Sequence, residues 1–175
     1  REEYKADVAL SAGVRWGTTT PKGDWITMED VMTQCSMTYA ETYVQEMTGH
    51  DLLNILEQVA DNLFDPDPYL QSGGDMVRVG GLDYTINPAK KLYERITDAR
   101  LDNGHLIEAD QKYTVAGWAQ VNRTPEGRLM WDVVRDYIVK NKGKDNVLKL
   151  PKINHPKLVG VMKDPGIADY PGEAS

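Results

Sequence analysis

The chain has 175 residues, 41% hydrophobic and 27% charged, with a net charge of −7 at neutral pH. That balance reads as one soluble globular domain with its own core. It argues against a bulk electrostatic grip on nucleic acid, and no apolar run approaches the length of a membrane span. The start is not basic-then-apolar, so no signal-peptide pattern is seen; a mature exported chain would read the same way, and location stays open on this feature. Cys35 is the single cysteine. An internal disulfide, a cysteine zinc site and a Cys-X-X-Cys redox pair are therefore excluded, and its apolar helical position predicts a buried, inert thiol.

In chain order, Asp7-Val8-Ala9-Leu10 predicts a short buried strand running into Ser11-Ala12-Gly13-Val14-Arg15. A turn follows at Pro21-Lys22-Gly23-Asp24. Thr27-Met28-Glu29-Asp30 has the form of a capping box with Asp in place of Glu or Gln, and Met28, Val31, Met32 and Cys35 continue at helical spacing. Residues 42–47 alternate as a strand does. Thr48-Gly49-His50-Asp51 is a second capping signal. It opens a helix striped by Leu52, Ile55, Leu56, Val59 and Leu63, which Pro66 and Pro68 bring to a stop. Strands are predicted at 82–86, 95–101 and 112–119, with Asp102-Asn103-Gly104 turning between the last two. Met130, Val133, Val134, Tyr137 and Ile138 mark a third amphipathic helix. Strands and helices mix without strict βαβ alternation, so the fold class is α+β, a mixed β-sheet packed with helices.

We divide the chain into a domain over residues 1–140 and an irregular Lys/Pro/Gly-rich tail over 141–175 that wraps the domain and frays at its end. Seven lysines and one acid, Asp145, lie between Lys140 and Lys163, so that stretch carries +6 and the remainder −13. A solvated face is the ordinary reading of such a stretch, and a docking strip for an acidic partner is the other.

The most informative string is Ser72-Gly73-Gly74-Asp75-Met76-Val77-Arg78-Val79-Gly80-Gly81. Glycine lets a backbone approach a ligand closely, and arginine offers a planar fork of donors suited to an oxyanion. On pattern alone it is a tight loop entering a strand. Arg15, on the glycine-bearing loop after the first strand, is the second such arginine, and the two make a candidate clamp for a sulfur or phosphorus oxyanion. Asp75 would orient an arginine or a backbone amide. Trp16, Tyr39 and Trp118 are candidate walls, with core packing as the competing reading for each. His50, His105 and His155 are about fifty residues apart. They form no HxH or HExxH spacing, and no GxSxG or phosphate-loop pattern exists.

The order of motifs resembles the C-terminal domain of the 5′-nucleotidase family. The strings are Ala-Gly-Val-Arg (12–15), Ile-Thr-Met-Glu-Asp-Val (26–31), Met-Thr-Gly-His-Asp-Leu-Leu (47–53), Gly-Gly-Leu-Asp-Tyr (80–84), Arg95-Ile96 and Tyr-Thr-Val-Ala (113–116). Within that family the chain is most similar to the SoxB-type thiosulfohydrolases of sulfur oxidation. That likeness rests on residues 10–17, 61–64, 66–69, 73–81, 115–119, 131–134 and 165–170. It departs from ordinary nucleotidases where their asparagine-led glycine string is here led by Leu10-Ser11. Their Gly-Gly-Asp-Gly string, with its preceding phenylalanine, is replaced by the region from Trp118 to Gly127. Loss of those base-sandwiching aromatics argues against a nucleotide substrate.

The resemblance implies a periplasmic, two-domain hydrolase whose N-terminal metallophosphatase-like domain holds two manganese ions. It would release sulfate from a cysteine S-thiosulfonate on the glycine-rich arm of the SoxYZ carrier protein. The metal-ligand motifs are missing here, so the chain is expected to hold no cofactor, to lack catalytic residues and to contribute substrate binding. The bet falls on Arg15, Arg78 and Asp75, with Gly73, Gly74, Gly80 and Gly81 keeping the channel narrow. Two other readings stay open: the C-terminal domain of a nucleotide or cyclic-nucleotide hydrolase, and a non-catalytic docking module working through the lysine-rich tail.

Overall fold

A computed structural model of the chain describes residues 1–13, 19–35, 39–120, 127–148 and 151–161. Within them the chain forms β1 (Val8–Ser11), α1 (Met28–Gln34), β2 (Thr42–Thr48), α2 (Gly49–Phe64) and β3 (Arg78–Gly80). It continues as β4 (Leu82–Ile86), β5 (Ile96–Leu101), β6 (Lys112–Trp118), α3 (Met130–Asn141) and β7 (Lys157–Leu158). The architecture is α+β, with three helices and two mixed sheets among the described residues.

The first sheet has the order β2-β6-β1-β3, and the second β5-β4-β7. β1 runs parallel to β6 and antiparallel to β3, while β2 runs antiparallel to β6. One core joins both sheets through α2: Val8 and Leu10 of β1, Leu52, Leu56 and Ala60 of α2, Leu82, Tyr84 and Ile86 of β4, Ala99 of β5, and Tyr113 and Val115 of β6. Alternation dictates this arrangement, because Val8 and Leu10 leave one face of β1 and Tyr113 and Val115 the same face of the neighbouring β6.

Both predicted capping boxes are present. The Thr27 hydroxyl accepts from the Asp30 N–H at the start of α1, and Thr48 accepts from Asp51 at the start of α2. Each aspartate carboxylate in turn accepts from the cap's hydroxyl and from its N–H, and these bonds, the hydroxyl's first, hold both carboxyls below the ordinary carboxylate range. Cys35 is buried at the end of α1, and burial pushes its thiol up.

Several boundaries differ from the sequence reading. β1 begins at Val8 rather than Asp7, whose carboxylate accepts from the Thr114 N–H. β5 begins at Ile96, whose N–H goes to the Glu57 carboxylate, while Arg95, its carbonyl still accepting from the Asn87 N–H, turns its side chain onto Asp61 of α2. β6 ends at Trp118, and Ala119 takes a positive φ of 64°. The segment beyond Asn141 is more ordered than its prolines suggest. Lys142 bridges to Leu148, and β7 adds to the second sheet through Thr85↔Lys157 and Ile86↔Leu158. Residues 162–175, which include the expected frayed end and the 165–170 string, lie outside the described residues.

Candidate functional site

The strand directions bring four termini to one end of the first sheet. β1 and β6 finish there at Ser11 and Trp118, and β3 and β2 begin there at Arg78 and Thr42. Ser11 is the direct partner of Arg78, and Thr42 of Trp118. Partnered residues share a face, so these four lie on the side opposite the Leu10–Val115 core. Trp118 is 7% exposed and donates its indole N–H to the Ser11 hydroxyl at 2.9 Å. That hydroxyl donates onward to the Ala12 carbonyl at 3.1 Å. Tyr39 is exposed, with φ 56°, and its carbonyl accepts from the N–H of Ala119 at 3.1 Å, beside the tryptophan.

Arg78 projects from this end with its side chain 55% exposed, and its Nη2 meets Asp75 Oδ2 at 2.8 Å. The Asp75 side chain lies directly over the α-carbon of Gly13, on the loop leaving β1. The two glycine-bearing loops singled out in the sequence are therefore in contact, through Asp75 and Gly13. Arg15, the other half of the expected clamp, and Trp16, one of the candidate walls, lie outside the described residues, as do 121–126 of the region that replaces the nucleotidase glycine string.

The four glycines of the string have separate fates. The Gly73 N–H donates to the Asn62 carbonyl at 3.0 Å, fastening the loop to the last turn of α2, and Gly74 faces open space. Gly80 pairs with Ala9 further down the sheet. Gly81 takes φ +83° where the chain passes from β3 into β4, and a Cβ there would stand 2.4 Å from the Asp7 carbonyl oxygen. The last pair thus serves the corner between the sheets rather than the Arg78 end. The Gly81 N–H donates to Asn154 Oδ1 at 2.8 Å.

Two polar clusters escaped the sequence reading. Glu57, on the core-facing side of α2, is buried and accepts from the N–H groups of Tyr93 (2.9 Å) and Ile96 (2.6 Å). One turn on, Asp61 pairs with Arg95 at 2.5 Å, and that arginine is 2% exposed. Together they clamp the β4–β5 connection onto the helix. The second cluster straps the tail: Lys152 pairs with Asp83 and Asp102 at 2.8 and 2.7 Å, and Asn154 donates to the same two carboxylates. These donors, with Arg1 on Asp102, hold both carboxyls below the ordinary range. Lys152 is thereby neutralised within the chain, which weakens the lysine strip as a docking face.

A groove of about 380 Å³ is lined by His50, Leu53, Asn54, Glu57, Tyr93 and Ile96, and another of about 340 Å³ by residues including His105, Glu108 and Gln111. Neither includes a residue of the Arg78 end. His50, His105 and His155 are all exposed, and among the described residues no group of three or more His, Cys, Asp or Glu side chains could hold a metal ion. No helix among them is long and apolar enough to cross a membrane.

The model of the 5′-nucleotidase C-terminal domain family matches residues 1–124. The sulfate thiohydrolase SoxB of Thermus thermophilus, solved with glycerol, is 28% identical over 91% of the chain, with a TM-score of 0.76. A 5′-nucleotidase precursor, also from Thermus thermophilus, is 18% identical over 91% with a TM-score of 0.69, a likeness of fold. The chain spans 30% and 33% of those two proteins. No curated protein sequence matches it. The match over residues 1–124, carried by the same mixed-sheet architecture, makes this chain a member of the 5′-nucleotidase C-terminal domain family.

Proposed function

We propose that the chain is the substrate-binding C-terminal domain of a SoxB-type periplasmic thiosulfohydrolase. The complete protein would hydrolyse a cysteine S-thiosulfonate on the SoxYZ carrier. In that reaction water adds to the sulfonate sulfur as its bond to the neighbouring sulfur breaks, giving sulfate and a persulfide. The observation that carries the reading is the half-exposed Arg78 guanidinium, set at a sheet end against the glycine loop that leads to Arg15, in a chain 28% identical to SoxB over 91% of its length.

Arg78, with Arg15, two positions after Gly13 in the sequence, neutralises the sulfonate oxygens, for which a guanidinium fork has the right spacing. Asp75 fixes the direction of Arg78. The Trp118 ring supports a compact anion over a nucleobase, because it is buried with its N–H committed to Ser11 and offers a base no face of its own to stack on. The two manganese ions implied by the resemblance belong, in this reading, to an N-terminal domain outside the chain, and no role of this chain's residues is routed through them.

The test is steady-state turnover of carrier-bound thiosulfonate by the complete enzyme, with Arg15→Ala and Arg78→Ala beside the parent. Loss of kcat/KM in both variants is expected. Unchanged kinetics remove the arginines from the site, and saturable binding of AMP would favour the nucleotide-hydrolase reading instead.

A further inference from the structure

We infer that Gly13 is a positioning residue whose bare α-carbon seats Asp75 and, through it, fixes the Arg78 guanidinium. Gly13 is not among the residues with positive φ, so backbone conformation does not require glycine there. Space does. A Cβ at this position would stand 2.1 Å from Asp75 Oδ2, 2.6 Å from its Cγ and 2.8 Å from its Cβ. The clash reaches the root of the aspartate side chain, so turning the carboxylate tip alone would not relieve it.

The oxygen in closest contact, Asp75 Oδ2, is also the one that accepts from Arg78 Nη2. Arg78 is therefore held at two points. Its backbone is fixed by pairing with Ser11, and its tip by a carboxylate resting on Gly13. An ion pair this exposed contributes little to stability, so its use is geometric: it aims a guanidinium that a flexible stem would otherwise let wander. The inference rests on the reading of Arg78 as an anion contact.

A double-mutant cycle with Gly13→Ala and Asp75→Gly tests it through two readouts: kcat/KM of the complete enzyme on carrier-bound thiosulfonate, and the NMR signal of the Arg78 side-chain Nε–H in the ligand-free chain. Each single variant is expected to lower kcat/KM by about tenfold or more and to shift and broaden the Arg78 signal. The double variant should be no worse than Asp75→Gly alone, because with the whole aspartate side chain gone, its Cβ included, the added methyl has nothing to displace. If Gly13→Ala alone fails to fold, a double variant that folds and behaves as Asp75→Gly supports the seat, and one that also fails overturns it. A Gly13→Ala effect that persists in full without Asp75, or an Arg78 signal unmoved by Gly13→Ala, overturns the inference. Should the signal respond to both variants while Arg78→Ala leaves kinetics intact, the seat stands and the anion contact falls.

Discussion

Two arginine–aspartate pairs in this chain have the same chemistry and opposite surroundings. Arg95 and Asp61 meet at 2.5 Å with the arginine 2% exposed, and Arg95 also donates to the Pro88 and Phe64 carbonyls. Arg78 and Asp75 meet at 2.8 Å with side chains 55% and 37% exposed. A buried charge that loses its partner is costly, so the first pair is committed to the fold. An exposed pair stabilises by roughly 0–1 kcal/mol, which leaves the second able to exchange its partner for a ligand. Environment, not residue type, separates the structural arginine from the candidate binding one.

The largest expected effect sharpens that contrast. Arg95→Ala leaves Asp61 without its partner and a void under the β4–β5 connection, and should destabilise the chain by about 3 kcal/mol in chemical denaturation. Glu57→Ala should follow at about 2 kcal/mol, since the N–H groups of Tyr93 and Ile96 lose their acceptor. Comparable loss from Arg78→Ala would erase the distinction between the two pairs.

Much of the frame could be read from residues alone, because its causes are local. Thr27-Asp30 and Thr48-Asp51 announce their helices through contacts three residues apart, and the Leu52-Leu56 stripe names the face of α2 that meets the core. Glu57 and Arg95 were invisible for the opposite reason. A charged residue in a string gives no sign that a partner 34 or 39 positions away will bury it. The Gly80-Gly81 pair looked like part of the Arg78 loop by adjacency. Gly80 instead closes the short strand that Arg78 opens, paired with Ala9, and Gly81's φ of +83° belongs to the corner. The Arg78–Asp75 pairing was within reach because three residues separate them; the Gly13 seat depends on strand register and was not.

The corner and tail supply smaller effects. Gly81→Ala forces a side chain onto φ +83° and toward the Asp7 carbonyl, and should lose about 1–3 kcal/mol by thermal unfolding. For the tail strap the sign follows from Asp83 and Asp102, both held below the ordinary carboxylate value, largely by Lys152. Their contribution is fully present above about pH 4 and is lost as pH falls through their folded values. The Gly81 amide resonance, which reports the bond to Asn154, should therefore hold its position down to more acidic pH than a free carboxyl would allow. Asp102→Asn should weaken that acid dependence. The smallest effect on stability belongs to Arg78→Ala, within about 0.5 kcal/mol of the parent.

The central claim, that Arg78 is held for a ligand rather than for the fold, is tested most directly by kcat/KM of the Arg78→Ala complete enzyme on carrier-bound thiosulfonate, with its unfolding midpoint read on the same preparation. The account predicts a loss of about tenfold or more with an unmoved midpoint. Parental kcat/KM at that same midpoint would contradict it.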